Sequence, residues 1–508
     1  MMRCFSGIFA IFFTIYSFGS AHHQPAVFIE QTEIIGSLHK NKKVELFLGL
    51  PFAEPPLGDL RWERPNAWIP NSTIKIVAKE FKPACFQNQR IVNWYKRLIK
   101  DFGGDPNTFD VPEFSEDCLY LNLWRPTGPK KDLPVIVYIH GGSNKAGWSY
   151  EPNYLGHNIA SQDFILISIP YRLGVFGFFS HPEVESPNLA LFDQLLALEW
   201  IQEYVSFFGG DPSNVTLIGE SAGAGGISHL IASPLSKNLF HRAVHQSGGS
   251  SFTYPTSSSG VKALADQFSK SFEDPSIKGL KSLSADQVLE VSENVYADHY
   301  FNYVIDGLSI EQSLSEAFEY GNIQNVDLIV GTNNDEWSLY FDGNVDVSLW
   351  LDQEVSQEKK VKLLELLVNV EDPVRKMDLL ITAKNFVCPS LFMARKLSES
   401  GNKTWIYQFN RVRDGELAKK FGAFHGAELP YVFNTHDDWL PTNEVDKDLT
   451  LAIQSYWLSF AKTGNPNDKV SPVWPAYQAI NDPTLVLDAK IFSKQHESSD
   501  ICRIMELF

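Results

Sequence analysis

The chain reads as an α/β protein: a central, mostly parallel sheet with helices packed on both faces. Two observations carry that reading. Short apolar runs rich in β-branched residues recur at Leu133–Ile139, Phe164–Ile169, Val215–Ile218, Val326–Val330 and Thr404–Phe409. They do not alternate with polar residues, as befits strands buried on both faces. Long segments with helical spacing separate them, without internal repeats or a low-complexity linker, which favours one large α/β unit.

From the N-terminus, Met-Met-Arg precedes an apolar run from Gly7 to Phe18, the small residues Gly19, Ser20 and Ala21, and then polar His22-His23-Gln24. An early positive charge, an apolar run too short to span a bilayer and small residues before a polar start are the parts of a secretory signal peptide. Residues 1–21 are therefore expected to be removed near Ala21, leaving 22–508 as a single secreted domain. Apolar runs between Gln31 and Leu50 flank the polar turn His39–Lys42 and predict an N-terminal hairpin. Leu195, Leu198 and Ile201, with Trp200 beside them, predict a helix over Phe192–Tyr204 with one apolar face. Leu449, Ile453, Tyr456 and Phe460 predict another over Leu449–Phe460, stopped by Gly464-Asn-Pro466. The stretches Ser250–Ser284 and Asp342–Asp378 are less regular and are expected to form insertions or a lid. Past the leader no stretch offers about 18 continuous apolar residues, and Ile501–Phe508 carries neither a retention signal nor a lipid-anchor tail. No transmembrane segment is expected.

Charge excludes another class. The chain has 43 Lys+Arg against 61 Asp+Glu and a formal charge of -18, with no basic cluster, so nucleic acid is not an expected partner. A 44% hydrophobic share excludes a disordered chain. Cys4 leaves with the leader, and Cys85, Cys118, Cys388 and Cys502 remain. An even number in an oxidising compartment implies pairing, with three connectivities open. The nearest-neighbour choice closes one shorter and one longer loop, worth about 4 and about 5 kcal/mol in a chain-entropy account. Cys-x-x-Cys and Cys/His ligand spacings are missing, so no metal is expected. Sequons at Asn71, Asn214 and Asn402 are glycosylation candidates, although Asn214 stands just before an apolar strand.

The chemistry centres on Gly219-Glu220-Ser221-Ala222-Gly223, which follows the strand Val215–Ile218 and opens a helix of small residues. A bare Gly-x-Ser-x-Gly arises by chance in a long chain; between a strand and a helix it is a nucleophile elbow, whose strained turn lifts the serine hydroxyl clear of the backbone. Gly223-Ala-Gly225-Gly226 fails the Gly-x-Gly-x-x-Gly spacing of a dinucleotide site. A serine attacking a carbonyl also needs donors for the oxyanion that develops. His140-Gly141-Gly142 follows a strand, and the N–H groups of Gly141 and Gly142, with that of Ala222, are the candidates, since glycine leaves the approach open.

With these motifs in place, the chain resembles the type-B carboxylesterase and cholinesterase family of α/β-hydrolases. The likeness runs through Phe47-Leu-Gly-Leu-Pro-Phe-Ala-Glu-Pro-Pro56, Glu116-Asp-Cys-Leu-Tyr-Leu-Asn122, Tyr171-Arg-Leu-Gly-Val-Phe-Gly177, Asp193-Gln194 and Phe208-Gly-Gly-Asp-Pro-Ser-Asn-Val-Thr216. It implies the α/β-hydrolase fold, with an active site at the bottom of a gorge. It implies His425, in Gly422-Ala-Phe-His-Gly-Ala-Glu-Leu-Pro-Tyr-Val-Phe433, as the general base and acid, and Glu336, in Gly331-Thr-Asn-Asn-Asp-Glu336, as the triad acid. The order Ser221, Glu336, His425 is that of α/β-hydrolases. Trp337 stands where the family usually has glycine, which leaves Asp335 open as an alternative acid. The resemblance further implies pairing of Cys85 with Cys118 and of Cys388 with Cys502, a structural ion pair of Arg61 with Glu116, and Ser247 as a buttress of the triad acid. A further family disulfide downstream of the elbow has no cysteines here.

These readings predict a secreted serine carboxylesterase that hydrolyses small-molecule carboxylic esters through an acyl-enzyme on Ser221 without a cofactor. The Glu-Met-Trp segment with which cholinesterases bind a quaternary ammonium is absent from the first disulfide loop, which has Trp94 near its start and Phe109 closer to the matching place. Uncharged short- or medium-chain esters are favoured. The alternatives are cholinesterase or lipase activity, and a non-catalytic adhesion or binding protein.

Overall fold

A computed structural model describes residues 24–71, 74–253, 258–341, 343–467, 472–496 and 498–506; the leader 1–21 lies outside the described residues. The central sheet has 11 strands. In chain order they are β1 (Ser37–Leu38), β2 (Val44–Pro51), β3 (Tyr120–Pro126), β4 (Leu133–Ile139), β5 (Ile165–Ile169), β6 (Gly210–Glu220), β7 (Arg242–Gln246), β8 (Asp327–Asn333), β9 (Thr404–Phe409), β10 (Pro483–Leu487) and β11 (Phe492–Gln495). Across the sheet the order is β11-β10-β9-β8-β7-β6-β4-β5-β3-β2-β1. From β5 to β10 every pair is parallel; antiparallel pairs occur where β3, β2 and β1 extend one edge and β11 the other.

The apolar runs seen in sequence are β4, β5, β6, β8 and β9, and β4, β5 and β9 are buried along their whole length. β7 escaped that reading because Arg242-Ala-Val-His-Gln246 is polar at three of its positions, yet His245 and Gln246 are fully buried beside the site. The hairpin at His39–Lys42 is β1 and β2, closed by the His39 N–H donating to Val44 O at 2.9 Å. A further hairpin, Ala26–Ile29 with Thr32–Ile35, precedes it in a separate small sheet.

The helix expected over Phe192–Tyr204 spans Leu189–Tyr204 and is buried nearly all round rather than on one face. The second spans Glu444–Thr463, with an Asn443/Asp446 capping box at its start and Gly464 at φ 75° ending it. Asn443 and Gly464 supply the two local signals that helix ends need. The stretches read as irregular are largely helical: Ser258–Lys270 and Ile277–Lys281 in one, Val347–Glu354, Gln357–Leu366 and Pro373–Thr382 in the other. Serines or aspartates at 276, 346, 356 and 372 accept from backbone N–H groups at their starts, so these less regular stretches are built from short capped helices.

Two disulfides are present, Cys85–Cys118 and Cys388–Cys502, with sequence separations of 33 and 114. The second ties the C-terminal helix Ser499–Met505 to the helix Cys388–Glu399. Arg61 and Glu116 form a bidentate buried pair at 2.5 and 2.7 Å, and Arg172 grips fully buried Asp193 at 2.8 Å. Among the described residues one helical run, Pro373–Glu399, is long and apolar enough to cross a membrane, but 78% of its apolar window is buried inside the protein.

Candidate active site

Parallel strands direct all their C-terminal ends to one side of a sheet, which is where open α/β sheets carry their sites. Four such ends converge here. Gly141 and Gly142 follow β4, Ser221 follows β6, Glu336 follows β8, and His425 lies on the segment after β9. Because β4 and β6 are neighbours paired through Ile139 and Gly219, the loop after one strand meets the turn after the other.

Ser221 holds φ 55° and ψ −126° between β6 and the helix Ala222–Ala232, a region that non-glycine residues occupy only under constraint. Glycine permits the turn: a Cβ at Gly223 would lie 2.1 Å from Ile139 O, so helix and strand can approach only without one. The hydroxyl of Ser221 lies 2.8 Å from His425 Nε2, and His425 Nδ1 lies 2.7 Å from Glu336 Oε2. A carboxylate only accepts, so Nδ1 carries the hydrogen and Nε2 is left to accept from the serine. Glu336 is fully buried and its Oε1 accepts the Asn333 N–H at 2.7 Å.

Asp335, left open above as the acid, points elsewhere. Its Oδ2 accepts the Ala423 N–H at 2.7 Å and its Oδ1 pairs with Arg375. Trp337 takes the glycine position without disturbing Glu336, since its N–H donates to Asp378 Oδ1 at 2.8 Å and its ring lines the cavity. Among the described residues the buried Oγ of Ser247, expected to buttress the triad acid, has no hydrogen-bond partner, and its N–H donates to Gly331 O at 2.9 Å. Asn333 takes that supporting place through its backbone.

A Cβ on Gly141 would lie 2.9 Å from Ser221 Cβ and from Glu220 O, and one on Gly142, at φ 106°, would lie 2.0 Å from Ala146 O. Both positions therefore require glycine, and Gly141 abuts the serine as an oxyanion site demands.

Sequence gave no role to two further carboxyls. Glu220 Oε1 lies 3.2 Å from His425 Nε2, and burial raises its pKa. Burial opposes a charged His425, but Glu220 and Glu336 outweigh it and hold the imidazole above the ordinary histidine range. Glu428, buried one turn beyond, accepts from Asn333 Nδ2 at 2.6 Å and Gln246 Nε2 at 2.8 Å. Only the assembled fold brings these groups together.

The serine opens into a cavity of about 500 Å3 walled by Trp94, Leu98, Trp337, Tyr340 and Phe386, among others. Phe386 lies on a π-helical turn, Ala383–Val387, just before Pro389, and its ring centroid is 5.3 Å from that of His425. Pro389 has no N–H to donate back into that turn. Trp94 faces the cavity, whereas Phe109 stacks on Tyr95 at 4.9 Å and does not line it. Among the described residues no cluster of metal-ligating side chains occurs.

Residues 23–504 match the model of the Carboxylesterase family. The chain is 32% identical over 488 residues to para-nitrobenzyl esterase of Bacillus subtilis (strain 168), covering 90% of this chain and 94% of that protein. It is 31% identical over 495 residues to carboxylesterase 1C of Mus musculus, covering 89% and 87%. A solved structure of PNB esterase superposes with a TM-score of 0.82 at 29% identity, over 95% of this chain and 99% of that one.

Proposed function

The chain belongs to the carboxylesterase family, ester hydrolases of the α/β-hydrolase fold, and from that premise we propose that it is a secreted serine carboxylesterase using Ser221, His425 and Glu336 as its triad. The observation that carries the reading is the continuous link from Ser221 Oγ through His425 to Glu336, at 2.8 and 2.7 Å, on the wall of a cavity rich in aromatic residues. In this reading Ser221 Oγ attacks the ester carbonyl carbon while its proton passes to His425 Nε2. The carbonyl oxygen takes the negative charge and is met by the N–H groups of Gly141, Gly142 and Ala222. Glu336 fixes the tautomer and stabilises the imidazolium. Collapse breaks the bond to the alcohol oxygen, which takes the proton from Nε2 and leaves an acyl ester on Ser221. A water then repeats the sequence, with His425 taking its proton, and releases the acid.

The aromatic and aliphatic part of the cavity wall, Trp94, Leu98, Trp337, Tyr340 and Phe386, supports uncharged acyl chains as substrates. Burying one methylene is worth about 0.8 kcal/mol, or roughly a fourfold gain in kcat/KM per carbon until the cavity is full. The test is hydrolysis of nitrophenyl esters of increasing acyl length, with acetylthiocholine alongside, by the protein and its Ser221→Ala variant. A rise from acetate toward medium chains, lost in the variant, is the expected result. Preference for the choline ester would favour a cholinesterase, and activity confined to aggregated long-chain esters a lipase. Turnover unchanged in Ser221→Ala would reject the mechanism, and no turnover by folded protein would favour a binding role.

A further inference from the structure

The loop that carries the oxyanion donors closes on itself through Gly142 O, which accepts from the Lys145 and Ala146 N–H groups, and is braced from outside as well. Gly142, Ser143, Asn144 and Gly147 all have positive φ, at 106°, 58°, 56° and 103°. Such backbone persists only where its surroundings over-determine it. On one flank Asn144 Nδ2 donates to Phe301 O at 2.8 Å and Lys145 Nζ to Tyr296 O at 3.0 Å. On the other stands the Cys85–Cys118 loop. Gln87, two residues past Cys85, meets Gly147 with both ends of its carboxamide: Nε2 donates to Gly147 O and Oε1 accepts the Gly147 N–H, each at 2.8 Å. The same Nε2 donates to Cys85 O at 3.0 Å, and the side chain is buried. A little further on, Glu151 accepts the Trp148 N–H at 3.2 Å and the hydroxyl of Tyr95, from the helix inside the same disulfide loop, at 2.5 Å.

Gly147 lies against the peptide that matters. A Cβ on it would fall 2.7 Å from Gly141 O and 2.8 Å from His140 Nδ1. His140 is buried, with its pKa lowered to about 4 by burial, so it is neutral at pH 7. Its Nδ1 lies 2.9 Å from Gly141 O and, facing a carbonyl, carries the hydrogen. In a trans peptide the carbonyl and the following N–H point in opposite directions. Holding Gly141 O toward His140 and Gly147 therefore turns the Gly142 N–H the other way.

We infer that Gln87 is a positioning residue for the oxyanion donors: fixed in the Cys85–Cys118 loop, it clamps Gly147 and thereby orients the Gly141–Gly142 peptide. The inference rests on the serine-esterase reading above and adds to it a link between the disulfide loop and kcat.

Gln87→Met keeps length and volume but removes both hydrogen bonds to Gly147 and the one to Cys85 O, and Gln87→Ala removes the side chain. Losing a whole oxyanion donor costs roughly 10²–10³ in rate, so a loosened one should cost about 10- to 100-fold in kcat, with KM within about threefold. A trifluoromethyl ketone, whose adduct on serine puts an oxyanion in that site, should lose affinity by the same factor. A role in folding alone would lower thermal stability and leave kcat per folded molecule and ketone affinity unchanged, and that result overturns the inference. Tyr95→Phe, which keeps the ring stacked on Phe109, supplies a milder second variant, with a smaller parallel loss of kcat and ketone affinity expected. Should wild-type protein fail to hydrolyse any ester, the esterase reading falls by itself. The crystal structure of Gln87→Met then decides the clamp: a displaced Gly141–Gly142 peptide supports it and an unmoved one rejects it.

Discussion

At the scale of single residues, the adjacent carboxylates Asp335 and Glu336 have separate tasks, and their variants should part company. Glu336→Gln keeps the shape but removes the charge facing His425, and by analogy with triad acids elsewhere should lower kcat roughly 10³-fold or more. Asp335→Asn weakens the acceptor for Ala423 N–H and Arg375. It should cost about 1–2 kcal/mol of stability and far less activity, as denaturant midpoints and kcat measured side by side would reveal. A large kcat loss in Asp335→Asn with Glu336→Gln active would reverse the assignment. pH offers a second check. A base whose pKa lies above the ordinary histidine value of about 6.5 is protonated, and idle, until pH rises through that higher pKa. Since Glu220 and Glu336 raise His425 against the effect of burial, kcat/KM should fall with decreasing pH along a limb above 6.5. Glu220→Gln, which removes the carboxylate 3.2 Å from Nε2, should move that limb down toward the ordinary range. A limb at the same pH in both proteins would assign no such role to Glu220.

At the scale of elements, the two disulfides should behave differently. Cys388–Cys502 closes the longer loop and lies in a small apolar cluster with Leu351, Leu380 and Ile501. Replacing both cysteines by serine should lower the thermal midpoint by a few degrees, in line with about 4–5 kcal/mol of loop-closure stabilisation, and leave kcat intact. Replacing Cys85 and Cys118 should also lower kcat, because the loop they close holds Gln87 and Tyr95 against the oxyanion loop. Equal effects on kcat from the two pairs would contradict that distinction. The elements also show what the sequence makes legible. Buried strands such as β4 and β9 announce themselves because every position of β4 and all but Thr404 and Gln408 of β9 are apolar, and the elbow because its glycines are sterically compulsory. β7 does not, since its buried His245 and Gln246 are polar residues placed by neighbours far along the chain. The helices within 347–382 are short, and their starts rest on single capping side chains that a search for apolar periodicity passes over. Gln87 lacks any local signature: its chemistry arises from a backbone 60 residues away.

At the scale of the whole molecule, the reading of the chain as secreted and glycosylated is a claim about which surfaces are open to modification. The three sequons differ in that respect. Asn71 is exposed. Asn402 sits half-exposed between the helix Cys388–Glu399 and β9, its amide donating to Leu397 O at 3.3 Å, a long and easily exchanged bond. Asn214 lies inside β6, where its Oδ1 accepts from the guanidinium of Arg242 and its Nδ2 faces Lys462 O at 3.5 Å. A glycan is attached to that same amide nitrogen, so at Asn214 it would have to displace the contact with Lys462 O while the neighbouring Oδ1 stays held by Arg242. The expectation is modification at Asn71 and Asn402 and none at Asn214 when the full chain is expressed through a eukaryotic secretory pathway. Peptide mapping after enzymatic deglycosylation reads this directly, because each released site becomes aspartate. The same digest should give His22 as the N-terminal residue. A glycan found on Asn214 would mean that modification precedes the closure of β6 against Arg242. An intact leader on medium-secreted protein, or a chain retained inside the cell without glycan, would remove the secreted reading while leaving the hydrolase chemistry where it stands.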